Sequence, residues 1–160
     1  MDDELRGVKG WLLAFVIIIA VVSPGLLALG VWRELHTHAA AELDNIPIFA
    51  SIRTLTWATV AFAAVVGWFV AWRLVAIHNW TSVRLAIAGI WLGSVGTIVI
   101  HYVGATWLTG VSGDLLITTA EPRDFIRPFA FGLVWTAYLL KSERVANTYR
   151  GVEEDVQVFE

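Results

Sequence analysis

The chain has 160 residues, of which 58% are hydrophobic and only 16% are charged. Globular domains average about half hydrophobic and about a quarter charged, so this chain carries too little charge to cover a water-exposed surface. Its formal net charge of −3, without basic clusters, gives no basis for nucleic-acid binding, and its lack of cysteine excludes disulfides, thiolate metal sites and a thiol nucleophile.

Charged residues are absent from four blocks, which cover residues 10–32, 54–72, 85–100 and 128–140. Helices that are apolar all round belong in lipid or in a large core, and this chain is too short for a large core. Backbone polar groups in lipid must be satisfied within the segment, which favours helices. The sequence therefore predicts an all-α integral membrane protein, a single domain over residues 1–160 that forms a bundle of four transmembrane helices in the lipid bilayer.

The first two predicted spans cover residues 11–32 and 54–76. Each is long enough to cross the roughly 30 Å hydrocarbon layer at about 1.5 Å per residue. Pro24 lacks a backbone donor and predicts a bend in the first span, which we expect to serve packing, with the shaping of a cavity as the alternative. Arg73 is an intramembrane polar residue about one turn from the end of the second span, where we expect its long side chain to reach the headgroups.

The third predicted span covers residues 82–107. Gly89, Gly93 and Gly96 give the spacing of small residues that lets helix backbones approach closely, either to a neighbouring helix or to another subunit. His101 is the second intramembrane polar residue, about 9 Å inside the end of this span. We expect it to hydrogen-bond a neighbouring helix, while metal or haem binding and proton transfer are the alternatives.

The fourth predicted span covers residues 125–141 and needs the stem of Lys141 to approach the lower length limit of about 17 residues. A cytoplasmic tail over residues 142–160 follows. Its apolar residues recur at helical spacing, which predicts an amphipathic helix lying on the membrane over residues 145–158; a polar tail without fixed structure is the alternative. The residues of this stripe are Val145, Tyr149, Val152 and Val156.

The basic residues predict the orientation. Four spans place both termini on one side, and seven basic residues flank that side: Arg6, Lys9, Arg73, Arg84, Lys141, Arg144 and Arg150. Four flank the other side: Arg33, Arg53, Arg123 and Arg127. Cytoplasmic loops carry the excess of Lys and Arg, so both termini are predicted to be cytoplasmic.

A metal site would have to draw on histidines of the outer side. His36 and His38 are two residues apart, which suits one metal ion in an extended loop, and His101 could approach them from the third span. Exposed histidines near a membrane are more often solvated, so we expect no metal site and no cofactor.

The two ends of the chain resemble the DUF2569 (YdgK-like) family of bacterial inner-membrane proteins. The stretch "WTAYLLKSERVANTY" is similar to the closing motif of that family through Trp135, Tyr138, Ser142, Arg144, Val145, Thr148 and Tyr149. The stretch "KGWLLAF" is similar to its opening motif through Gly10 and Trp11, with Lys9 in place of a glycine. The resemblance implies a four-helix, multi-pass inner-membrane protein with cytoplasmic ends, and it implies no reaction.

The sequence indicates less about the function of the protein than about its location. No carboxylate lies within the four apolar blocks, which counts against a proton-coupled carrier. No nucleophile triad, phosphate-binding glycine loop or metalloprotease motif is present, so we expect no enzyme. We therefore predict an accessory or scaffold component of a membrane protein assembly, bound to a membrane-protein partner or to copies of itself. A small oligomeric channel or transporter is the alternative.

Overall fold

A computed structural model of the chain describes residues 7–37, 42–43, 45–113 and 122–150. These residues form helices and connecting turns, with no β-strand among them, so the predicted all-α class is confirmed. The helices are α1 (Trp11–Leu35), α2 (Pro47–Ala76), α3 (Trp80–Thr109), α4 (Pro122–Lys141) and α5 (Glu143–Tyr149). A π-helical turn interrupts α1 at Ile18–Val22 and α3 at Leu92–Gly96.

Local chemistry accounts for three of the helix ends. Pro47 starts α2, where a missing N–H costs nothing because the first backbone donors of a helix have no internal partner. Asn79 caps α3 by accepting a hydrogen bond from the Ser82 N–H at 2.9 Å. Gly110, with φ of 68°, ends α3 in the left-handed conformation that glycine adopts without strain.

Three helices are long and apolar enough to cross a membrane in the part of the chain that the structure describes. They are α1 with 25 residues and α2 and α3 with 30 each. Helix α4 has 20 residues, but Arg123, Asp124 and Arg127 occupy its first two turns. Its uncharged stretch, residues 128–140, is only about 20 Å long at helical rise. The structure thus shows three candidate spans where the sequence predicts four.

The core lies at the end of the bundle where the described termini meet. Its fully buried side chains come from all five helices: Leu12, Phe15, Leu74, Val83, Leu139, Val145 and Tyr149. Ser142 has extended backbone, with φ of −73° and ψ of 123°, and this break turns α5 back onto the bundle. The Tyr149 hydroxyl donates to the Leu74 carbonyl at 2.6 Å.

The described part of the stripe that was predicted to lie on the membrane surface lies inside the bundle instead. Val145 and Tyr149 are buried in the bundle, because a short helix with two large apolar side chains can cover the open end of the core. The rest of the predicted interfacial helix, from residue 151 onward, lies outside the described residues.

Much of the outer surface of the helices is apolar. Val21, Val103 and Val134, on α1, α3 and α4, are 64–65% exposed. A surface of this kind would be unfavourable in water and is the expected surface of a protein in lipid.

Candidate functional site

Helix α2 contacts the π-helical turn of α1. Pro24 has no N–H, so the carbonyls four and five residues before it, those of Ala20 and Ile19, cannot accept a bond from it. The Trp68 indole N–H donates to the Ala20 carbonyl at 2.7 Å. Gly67 lies so close to the Ile19 carbonyl oxygen that a Cβ atom would collide with it. An unsatisfied carbonyl in lipid costs several kcal/mol, so the Trp68 hydrogen bond stabilises the packing of α2 on the π-helical turn of α1.

The π-helical turn of α3 is stabilised by its own hydroxyl groups. The Ser94 hydroxyl donates to the Ile90 carbonyl at 2.6 Å. The Thr97 hydroxyl lies 2.7 Å from the Ser94 carbonyl and 3.2 Å from the Gly93 carbonyl. Hydroxyls of this kind compensate for backbone bonds that are lost where a helix widens.

Helix α4 packs against α3 through Trp91. The Trp91 indole N–H donates to the Thr136 hydroxyl at 3.1 Å. Its ring lies over Gly132, where an added Cβ atom would come within 3.3 Å of the ring atoms. Phe129 meets the ring edge-on at a centroid distance of 5.5 Å. These contacts hold α4 beside the π-helical turn of α3.

The two π-helical turns flank one cavity of about 520 Å³ between α1, α2, α3 and α4. Its walls are mainly apolar, and they include Ile19, Pro24, Leu27, Ala63, Val66, Ile90, Gly93, Ile98, Pro128 and Phe131. Single-turn π-bulges occur frequently at functional sites. We therefore take this space, the intramembrane cavity, as the candidate functional site.

Charged residues of α4 line one end of the intramembrane cavity. They are Arg123, Asp124 and Arg127, and the Arg123 Nε lies 4.0 Å from a carboxylate oxygen of Asp124. Phe125 stacks on Tyr102 with ring centroids 5.7 Å apart. Tyr102 precedes the end of α3 by seven residues, or about 10 Å. The charged end of the cavity thus lies well inside the length of the long helices and carries a formal net charge of +1.

The glycines predicted as a packing face have different neighbours. A Cβ atom at Gly89 would collide with Val70 of α2, and one at Gly93 would lie 3.6 Å from Val66 of α2. At Gly96 it would meet Leu92 of its own helix at 3.1 Å.

The predicted polar residues are not brought together. Arg73 is half-buried, and its Nε atom has no hydrogen-bond acceptor among the described residues. His101 meets the neighbouring Tyr102 edge-on at 6.1 Å. His36 lies over Trp32, with its Nδ1 atom 2.7 Å from the Trp32 carbonyl, and His38 lies outside the described residues. Residues 7–37, 42–43, 45–113 and 122–150 contain no group of three or more metal-ligating side chains.

Motif residues from the two ends of the chain lie close together at the end of the bundle that contains the core. The Gly7 N–H donates to the Thr148 hydroxyl oxygen at 3.0 Å, and a Cβ atom at Gly10 would lie 3.9 Å from the Arg144 Nε. Trp135 lies 4.6 Å from the ring of Phe15. The Tyr138 ring meets Trp135 edge-on at 5.7 Å, whereas Trp11 points outward with 74% of its surface exposed.

From sequence, the bend at Pro24 could serve packing or shape a cavity, and packing was the favoured interpretation. Pro24 was the available signal, because it predicts a carbonyl that needs another donor, but the sequence does not show that Trp68 supplies it. The position of Arg127 at the cavity was also not predicted, since from sequence it is one of four basic residues flanking the outer side.

These observations define a helical membrane protein with three helices that could cross a bilayer. The chain matches the family described as protein of unknown function (DUF2569) over residues 5–150, and it belongs to that family. No curated protein and no solved structure matches it.

Proposed function

We propose that the protein is a four-span component of the bacterial inner membrane, with both termini in the cytoplasm, that serves as an accessory or scaffold subunit of a membrane protein assembly. The packing of α4 against Trp91 and of Trp135 against Phe15 supports its inclusion in the bundle as a fourth span. The excess of basic residues on the side of the termini supports the orientation.

One surface carries the proposed accessory role. Large side chains on one face of α2 project outward, and we name them the α2 ridge: Val65, Trp68, Phe69, Trp72 and Val75, which are 47–58% exposed. Trp72 is about one turn from the end of α2, where headgroup anchoring would account for it. Trp68 is eight residues from that end, or about 12 Å, which is deeper than the headgroup layer. Tryptophan is enriched at binding hot spots, so the α2 ridge fits an apolar helix of a partner membrane protein.

The alternative of a channel or transporter fits the bundle less well. Fully buried side chains of the core, including Phe15, Leu74 and Tyr149, close the end of the bundle nearest the termini. A conducting path would therefore have to form between copies of the chain rather than through one copy.

Affinity purification from native membranes in mild detergent, with quantitative mass spectrometry, tests the proposal. We expect a membrane protein at fixed ratio to the chain. Phe69→Ala should lower that ratio several-fold because it removes an exposed part of the α2 ridge that lies deeper than Trp72. Trp107→Ala is the matched control, since Trp107 is 83% exposed on another helix.

Two results would contradict the accessory role. One is recovery of the chain alone or only with copies of itself. The other is a partner whose ratio is equally unaffected by Phe69→Ala and Trp107→Ala.

A further inference from the structure

The intramembrane cavity is not accounted for by the accessory role. Its volume of about 520 Å³ falls in the range of about 300–1,000 Å³ that is typical of ligand sites. Along α4 it extends from Arg123 to Phe131, or about 12 Å at helical rise. Side chains that face this space lack packing partners there, so an occupant would be stabilising.

The long wall of the cavity is suited to hydrocarbon. Ile19, Leu27, Val66 and Phe131 present apolar side chains to it. Ser94 and Thr97 also line it, but their hydroxyl hydrogens are directed to backbone carbonyls of α3. The wall therefore offers an acyl chain an apolar surface in spite of these two hydroxyl groups.

The charged end is suited to an anion. Arg123 is near Asp124, which partly offsets its charge, whereas Arg127 lies one turn further along α4 toward the apolar wall. Arginine is the residue of choice for binding phosphate, because its planar fork of N–H groups matches the phosphate oxygens. Ionisable residues at membrane depth commonly mark functional sites.

We propose that the intramembrane cavity binds an anionic phospholipid, with the phosphate at Arg127 and Arg123 and part of one acyl chain along the apolar wall. A neutral hydrocarbon would make no use of the net positive charge at this end. A water-soluble anion would leave the long apolar wall without packing contacts. An amphiphile with a phosphate next to an acyl chain matches both parts of the cavity, and this site does not depend on the accessory role.

The test is lipid binding by the full-length protein in detergent, followed by native mass spectrometry. The delipidated protein is titrated with phosphatidylglycerol and, separately, with phosphatidylcholine of identical acyl chains. We expect one molecule of phosphatidylglycerol to be retained at a concentration at least about tenfold lower than phosphatidylcholine, because the net positive site favours the anionic headgroup. An excess of inorganic phosphate should not displace it, since phosphate gains nothing from the apolar wall.

Three variants locate the bound lipid. Arg127→Gln should weaken retention of phosphatidylglycerol by about tenfold or more, because a charge-assisted hydrogen bond is lost. Arg33→Gln removes the same charge from the exposed end of α1, outside the cavity, and should leave retention unchanged. Ala63→Phe fills the cavity and should also reduce retention, with Leu27→Phe as a second filling variant if Ala63→Phe does not fold.

Several outcomes would overturn the proposal. These are equal retention of the two lipids, equal effects of Arg127→Gln and Arg33→Gln, or full retention in a folded cavity-filling variant. Displacement of the lipid by inorganic phosphate would likewise show a simple anion site. A failed co-purification experiment would leave this result untouched, so the two proposals are tested separately.

Discussion

Pro24 and Trp68 show how one missing backbone donor is replaced from another helix. If the Trp68 indole N–H satisfies the carbonyl that Pro24 leaves open, Trp68→Phe should lower the free energy of unfolding by about 1–3 kcal/mol. In a Pro24→Ala background the introduced alanine has a backbone N–H that can donate to the Ala20 carbonyl, so Trp68→Phe should cost much less there. A double-mutant cycle in detergent, with denaturant unfolding as the measurement, gives the coupling.

Trp72→Phe is the control for this cycle, because Trp72 is also exposed on α2 and its ring meets Phe69 at 6.0 Å, a contact that a phenyl ring can largely keep. It should cost little in either background. A cost of Trp68→Phe that is the same with and without Pro24→Ala would show that the hydrogen bond does not compensate for the proline.

Tyr149 performs a similar role at the end of α2. Leu74 is among the last four residues of that helix, whose carbonyls have no partner within it, and the Tyr149 hydroxyl donates to this carbonyl. Tyr149→Phe should therefore destabilise the protein by about 1–3 kcal/mol, measured by thermal or denaturant unfolding. Tyr102→Phe is the control, since it keeps the ring that stacks on Phe125. An equal loss in both variants would contradict this role of the hydroxyl.

The same hydroxyl predicts a pH dependence. Burial raises the pKa of Tyr149 above its ordinary value, with a smaller contribution from Tyr138. The stabilisation from the neutral phenol is fully present below the unfolded pKa of about 10 and is lost as pH rises toward the higher folded value. Stability should fall above about pH 10, and Tyr149→Phe should make that fall shallower. A pH profile of the unfolding midpoint checks this, and identical slopes above that pH would refute it.

At the scale of the elements, glycines that look alike in sequence differ in how closely a neighbouring helix approaches them. Gly67→Ala places a methyl group against the Ile19 carbonyl of α1, which is backbone and cannot turn away, so we expect a loss of about 1–3 kcal/mol. Gly93→Ala meets Val66 at an ordinary contact distance of 3.6 Å. Its helix propensity improves by up to about 1 kcal/mol, so it should be neutral or stabilising. Unfolding of the two variants side by side is the measurement, and equal effects would contradict the packing of α1 on α2.

The hydropathy of α4 does not reveal how this helix is placed in the bundle. Its first two turns carry three charged residues, which removes it from the helices that could cross a membrane by composition. The structure places those residues at one end of a cavity and packs the rest of α4 against Trp91 and Phe15. The composition of one helix does not predict this environment, because side chains of other helices form the environment.

At the scale of the whole molecule, the proposed orientation gives a direct prediction. The chain has no cysteine, so a single introduced cysteine is an unambiguous label site. Glu34→Cys, at the end of α1 away from the termini, should react with a membrane-impermeant thiol reagent in intact cells. Glu143→Cys, beside α5, should react only after the membrane is opened. Both side chains are exposed, and the reverse pattern of labelling would overturn the orientation.

The sequence by itself determined the class of the protein, the family and the approximate positions of α1, α2 and α3, because apolar runs and short motifs are local properties of the chain. The start of α2 was predicted too late, at residue 54 instead of Pro47. Only the tertiary structure decided that α5 closes the bundle, that Trp68 replaces the donor missing at Pro24, and that Arg127 lies at one end of a cavity. These features depend on contacts between distant parts of the chain. Gly7 meets Thr148 across 141 residues, Leu74 meets Tyr149 across 75, and Ala20 meets Trp68 across 48. Hydropathy measures how each segment partitions into lipid, and it contains no information about which helix faces meet.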